Sequence, residues 1–181
     1  MSTADSGTKF GYREYCGLPE DGNRHEIIGG DHVMNPAPNT YHQRISVNLC
    51  FQLYAKVQQP GLGIVFSAPT DVQLGEYDIV QPDLLVVMNS QRNIVTPTKV
   101  KGAPDLIVEI ISPSTEQADR TRKKDLYCRS GVSEYWIVVP DDHQLEQWVL
   151  DENAFRQIET DGTSVKAQFL DGVEIDLTKV W

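Results

Sequence analysis

Two stretches of this chain, Leu84-Leu-Val-Val-Met88 and Leu106-Ile-Val-Glu-Ile-Ile111, are apolar almost from end to end. A half-exposed strand would interrupt such a run with polar residues. Both therefore read as central strands covered on each face, and the fold as α/β with a mixed sheet flanked by helices. The covering helices are legible too. Between Asn39 and Gln58, residues Ile45, Leu49, Leu53 and Val57 recur every four positions ahead of Pro60-Gly61, which predicts an amphipathic helix. Ser114, with Gln117 three residues on, reads as a capping box that opens a second helix ending at Gly131.

Around this centre the chain is rich in β signals. Residues 24–35 predict an N-terminal hairpin, because Gly29-Gly30 separates two short runs and supplies the positive φ a tight turn requires. Gly63 to Phe66 and Thr70 to Leu74 read as further strands beside the two apolar runs, and Glu134 to Val139 as another. From Gln144 to Trp181, short runs alternate with Asp161-Gly162 and Asp171-Gly172 turns, predicting a C-terminal β-meander at the sheet edge. Residues 1–10 are expected to form a disordered tail and residues 11–181 one domain, a length that can bury a single ordinary core.

No run approaches the roughly 18 apolar residues of a membrane span, so a cytoplasmic protein with no membrane partner is expected. Cys16, Cys50 and Cys128 lack paired spacing, which argues against a disulfide framework or a zinc site. The 16 basic residues against 26 acidic ones, a net charge of -10, argue against salt-driven attachment to nucleic acid. Arg120, Arg122, Lys123, Lys124 and Arg129 form the nearest basic run. P-loop spacing, a Gly-x-Ser-x-Gly elbow and a Cys/His pairing are all missing, which removes NTPase, serine-hydrolase and thiol chemistry.

What remains is carboxylate chemistry. Asp83 follows Pro82, whose missing N–H confines it to a strand start. Glu109 sits inside an apolar strand, where an unpartnered carboxylate is expensive. Asp119, Lys123 and Tyr127 are spaced by four and share one helix face. Glu26 in the hairpin and His42 near the start of the long helix are the remaining titratable candidates. Two strand-borne acids suit Mg²⁺, which is commonly held by one or two carboxylates with water and phosphate.

The series Glu26-Ile-Ile-Gly-Gly-Asp31, Pro36-Ala-Pro with His42, Ser67-Ala-Pro-Thr-Asp-Val72, Val80-Gln-Pro-Asp83, Ala103-Pro-Asp-Leu-Ile-Val-Glu-Ile-Ile-Ser-Pro-Ser114 and Gly131-Val-Ser-Glu-Tyr-Trp136 resembles the Uma-type family of restriction-endonuclease-like proteins, within the PD-(D/E)XK nuclease superfamily. The resemblance runs from about Gly11 to Trp181. It implies a restriction-endonuclease-like core and Mg²⁺-dependent hydrolysis of phosphodiester bonds in DNA, with Mn²⁺ as a substitute ion. By the same resemblance Asp83 and Glu109 hold the metal and Lys123 is the catalytic lysine; the backbone carbonyl of Ile110, next to Glu109, is expected to be a third metal ligand. Glu26 and His42 fall on supporting family positions, and a homodimer is implied. The superfamily's lysine often stands two residues after the second acid, where this chain has Ile111. Two alternatives stay open: a non-catalytic nuclease-fold binding module, and a hydrolase of a small phosphoester.

Overall fold

In the computed structural model, which describes residues 9–181, a helical turn α1 (Tyr12–Tyr15) precedes the hairpin β1 (Arg24–Ile28) and β2 (Asp31–Asn35). Gly29 and Gly30, with φ of 65° and 90°, make the left-handed turn for which the Gly-Gly pair was suited. Of the tail expected over residues 1–10, residues 1–8 lie outside the described residues; the Phe10 N–H donates to Gly30 O at 3.0 Å. Helix α2 (Thr40–Leu53) follows, its first turn capped by Asn39, whose Oδ1 accepts from the His42 N–H. It runs on into a π-helical turn, Tyr54–Gln58.

Next come β3 (Gly63–Ser67), β4 (Val72–Gly75), β5 (Asp78–Val80), β6 (Leu84–Met88), β7 (Val100–Lys101) and β8 (Leu106–Ile110). The second helical stretch consists of α3 (Glu116–Ala118), a π-helical turn (Asp119–Lys123) and α4 (Lys124–Ser130), closed by Gly131 at φ 84°. The chain ends in β9 (Glu134–Val139), β10 (Gln144–Asp151), β11 (Ala154–Ile158), β12 (Ser164–Lys166) and β13 (Glu174–Asp176).

The principal sheet has the order β11-β10-β9-β8-β6-β3. Its one parallel pair is β8 with β9, joined by the α3–α4 stretch, and its other pairings are antiparallel. As the apolar runs require, β6 and β8 are buried on both faces. One face packs on α2, where Leu84, Val86, Leu106, Val108 and Ile110 meet Ile45, Leu49 and Leu53. On the other, Leu85, Val87, Ile107 and Ile111 meet Leu126, Tyr127 and Val132. A second sheet, β2-β1-β5-β4-β7, carries the hairpin and extends that second core through Ile28, Val72 and Val80.

Three local expectations are corrected. The run Thr70 to Leu74 does not join the principal sheet; it forms β4, which pairs with β5, a strand too short to read from sequence. Ser114 does not cap the second helix. Its hydroxyl lies 3.0 Å from that of Ser112, and the helix starts at Glu116, because neighbouring hydroxyls satisfy one another locally instead of a helix end. Within the C-terminal meander, β10 and β11 lie at the sheet edge, but β12 and β13 pair with each other and bury Val165 and Ile175 in the α2 core. So short a hairpin needs such a surface to rest on. Among the described residues no helix is long and apolar enough to cross a membrane.

Candidate functional site

Alternation along β8 decides where its glutamate goes. Ile107 and Ile111 belong to the core on the α4 side, so Glu109, with the same parity, faces that side too. There it meets the helical stretch. Lys123 Nζ donates to Glu109 Oε1 at 3.1 Å, and the Tyr127 hydroxyl donates to the same oxygen at 2.6 Å. Lys123 is 4 % exposed, so it is not the surface lysine that helix statistics would favour. Its ammonium also lies 3.0 Å from Glu26 Oε2 and 3.3 Å from Asp119 Oδ1. The shared face of Asp119, Lys123 and Tyr127 is thereby realised, with the first two inside the π-helical turn.

Asp83 stands immediately before β6 and is 4 % exposed. Its Oδ1 accepts from Arg24 Nη1 at 2.6 Å, and its Oδ2 accepts from the Ile110 N–H at 2.9 Å and lies 3.0 Å from His42 Nε2. In a strand the N–H and C=O of one residue point to the same neighbour, so the Ile110 carbonyl is directed to the side on which Asp83 stands. Glu26 is fixed by Asn35 Nδ2, which donates to Oε2 at 2.7 Å, and by the Gln81 N–H, which donates to Oε1 at 2.8 Å. All seven residues expected at the site, together with Ile110, come together. Sequence reasoning missed Arg24, Asn35 and Gln81. Arg24 had a signal: it stands two residues before Glu26 on a strand, and so shares its face.

The cluster is rich in negative charge. Four carboxylates (Glu26, Asp83, Glu109 and Asp119) share two permanent cations, Arg24 and Lys123. Burial pushes the Glu109 carboxyl up to about 8 against the pull of Lys123, and the carboxylates of Asp119, Asp83 and Glu26 push it the same way. Asp119 is raised, chiefly by burial. Burial works to raise Asp83 as well, but His42 and Arg24 hold it below the usual carboxylate range. Lys123, opposed by its own burial, is held well above the ordinary lysine value by Glu109, Glu26 and Asp119. Asp119 Oδ1 and His42 Nδ1 are buried with no hydrogen-bond partner; Lys123 attracts the former by charge at 3.3 Å without the alignment of a hydrogen bond.

Arg24, His42, Asp83, Glu109, Asp119 and Lys123 line a cleft of about 580 Å³. Among the described residues no group of three or more His, Cys, Asp or Glu side chains is disposed to hold a metal ion by itself. Two carboxylates and a carbonyl are an incomplete set. It is the set Mg²⁺ accepts when water and a substrate phosphate complete its octahedron, and no hydrogen bond occupies Glu109 Oε2 among the described residues. The donor chemistry fits Mg²⁺ on those terms. The rest of the basic run is dispersed: Arg120 pairs with Glu116 and Glu146, Arg122 with Asp31 and Arg129 with Asp78. It makes a solvated face, not a phosphate-binding patch.

The Uma2 family, described as "Putative restriction endonuclease", matches residues 12–178. Among solved structures the chain is similar to a protein from Anabaena variabilis ATCC 29413 described as "a putative nuclease belonging to DUF820". The two are 19% identical, the match covers 94% of this chain and 97% of that one, and the TM-score is 0.78. At that identity the likeness speaks to the fold. No curated protein matches the chain.

Proposed function

The chain belongs to the Uma2 family, and on that premise we propose that it is a metal-dependent endonuclease hydrolysing phosphodiester bonds of DNA. The observation that carries the reading is the meeting of Asp83 and Glu109 at one cleft, with a buried lysine held among carboxylates beside them. Such a group is poorly explained by stability alone, because buried ion pairs contribute little net stabilisation.

Asp83, Glu109 and the Ile110 carbonyl would hold Mg²⁺, or Mn²⁺ in its place. The ion supplies polarisation of the scissile phosphate and a lowered pKa for an attacking water. The side chains do the rest. Tyr127 and Lys123 fix the Glu109 carboxylate in one rotamer, leaving its second oxygen to the cleft. Lys123 has its positive charge where charge develops on the phosphate. Glu26 and Asp119 hold that ammonium in place, while Arg24 and His42 orient Asp83. Cutting both strands of a duplex needs two such sites, and a symmetric homodimer provides them.

The test is incubation of supercoiled plasmid and single-stranded DNA with the parent protein and with Glu109→Ala, in Mg²⁺ and in Mn²⁺, followed by gel electrophoresis. Nicking by the parent and none by the variant is the expected result. Equal cleavage by the two would remove Glu109 from the reaction, and no cleavage by either would remove the nuclease reading.

A further inference from the structure

A second hollow, of about 550 Å³, opens beside the candidate site and shares Arg24, Ala37 and Pro38 with its cleft. Its half-buried floor is polar: Tyr15 from α1, Asp71 just before β4, and Gln81, two residues before Asp83. Leu18, Pro38 and Pro69 give it apolar walls. The three floor groups spend their donors on one another. The Tyr15 hydroxyl donates to Asp71 Oδ1 at 2.6 Å, and Gln81 Nε2 donates to the same oxygen at 2.8 Å and to the Tyr15 hydroxyl at 3.0 Å. A side-chain amide has two N–H donors and a phenol one, so none is left over. Burial and Asp71 hold the Tyr15 hydroxyl well above its ordinary value, and it keeps its proton. What remains are two acceptors, Asp71 Oδ2 and Gln81 Oε1, which have no hydrogen-bond partner among the described residues and are not sealed off from the hollow.

Such a hollow suits a flat group with apolar faces and N–H donors on its edge. Arg24, on the wall common to both hollows, says what that group is attached to. Its Nη1 is taken by Asp83, while its Nε and Nη2 have no partner among the described residues. They are charged donors of the kind that hold a phosphate, and the same charge disfavours a free cation beside Asp71. We propose that this hollow is a base-binding subsite: on the nuclease reading, on which the inference rests, it takes an amino-bearing nucleobase (cytosine, adenine or guanine) from the strand whose phosphate meets Asp83 and Glu109. Acidic side chains accept from the cytosine 4-amino group in base recognition, and a base taken out of its stack is read along its edge while apolar side chains cover its faces. Thymine is turned away, because its 4-oxo group would set acceptor against acceptor at Asp71 Oδ2. Tyr15 is a positioning residue, since its hydroxyl occupies Oδ1 and so decides which Asp71 oxygen faces the base.

Fluorescence anisotropy tests it with labelled single strands of about ten deoxycytidines or about ten deoxyuridines, which differ only along the base edge and bring a base to the hollow in any register. Ca²⁺, which also takes carboxylate and carbonyl oxygens, replaces Mg²⁺ so that binding is read without cleavage. The parent is expected to bind the cytosine strand at least about fivefold more tightly, the low end of what one base contact discriminates. Asp71→Asn, which sets an N–H where Oδ2 stands and leaves Oδ1 its two donors, is expected to abolish that preference. Gln81→Met, which removes the other acceptor at similar size, weakens the cytosine strand alone and carries the test if Asp71→Asn fails to fold. Equal binding of the two strands by the parent, no measurable binding of either, or a preference unchanged in a folded Asp71→Asn or Gln81→Met protein would each overturn the proposal. Plasmid nicking in Mg²⁺, run in parallel, separates the two readings. Nicking by a parent that has no base preference overturns the subsite and leaves the nuclease, whereas a cytosine preference without nicking supports the subsite and overturns the nuclease.

Discussion

Two buried glutamates stand on neighbouring parallel strands, Glu109 near the end of β8 and Glu134 at the start of β9, and their surroundings are opposite in kind. Glu134 accepts four hydrogen bonds, all from neutral N–H groups: Trp136 Nε1, Gln147 Nε2 and the backbone of Gln168 and Phe169. It ties the C-terminal segment to the sheet. Glu109 is held by an ammonium and a phenol on one oxygen, among other carboxylates, at the wall of a cleft. A carboxylate satisfied by neutral donors behaves as a structural fastener. One set among charges at the carboxyl ends of parallel strands, where ligands of α/β folds bind, has the makings of chemistry.

The sharpest break of this contrast would come from cleavage. Glu109→Ala and Lys123→Ala are each expected to lower the rate of plasmid nicking by roughly 10³-fold, the scale of losing one preorganised charge. Glu134→Gln should leave the rate per folded molecule unchanged. A comparable loss in Glu134→Gln would erase the distinction. Stability should show the reverse order. Glu134→Ala removes the acceptor of two buried and two half-buried N–H donors and is expected to destabilise the fold by about 2 to 4 kcal/mol in urea unfolding, whereas Glu109→Gln, which removes a charge from a crowded site, should be neutral or stabilising without metal.

Protonation sharpens the comparison further. Glu109 titrates at about 8 in the fold against an ordinary 4.5, so between those values the folded state binds more protons than the unfolded one, and stability falls as pH rises. Asp119, raised from 3.8, acts in the same direction. Asp83, lowered from 3.8, gives stability that is lost only as pH falls below that range, outside the window. The metal-free parent is therefore expected to melt several degrees lower at pH 8 than at pH 5, relative to Glu109→Gln, and Mg²⁺ should narrow the gap. A parent and variant with parallel melting profiles would mean that Glu109 is ionised throughout. The smallest effect belongs to Tyr127→Phe, which loses one buried hydrogen bond and should cost about 1 to 2 kcal/mol.

The site was legible in the sequence to the extent that it violated local expectation. Glu109 interrupts an apolar strand and Asp83 follows a proline at a strand start, so both announced themselves. Lys123 was ambiguous, because a lysine four residues after an aspartate is ordinary on an exposed helix; only the packing of that helix onto β8 buries it. Arg24 and Gln81 stayed hidden because their importance depends on the hairpin meeting the segment just before β6, a contact between stretches far apart in sequence, and Asn35 because an asparagine closing a hairpin is ordinary until its partner Glu26 is known to be buried. The fold divides in the same way. Strands with continuous apolar runs were readable, whereas β5 and the division of strands between two sheets depend on pairings that no local pattern encodes.

The π-helical turn from Asp119 to Lys123 has a consequence for how this chain tolerates changes in length. A turn closed by i→i+5 bonds holds one residue more than its α-helical counterpart, as if one residue had been inserted without disturbing either flank. A single deletion inside 119–123 could be absorbed by tightening to an α-turn, leaving α4 and Tyr127 in phase with the sheet. The same deletion within α4 would rotate everything after it and carry Leu126 or Tyr127 off the core. The surplus residue thus marks the place where the helix can change length, and that place coincides with the two side chains that hold and carry the buried ammonium.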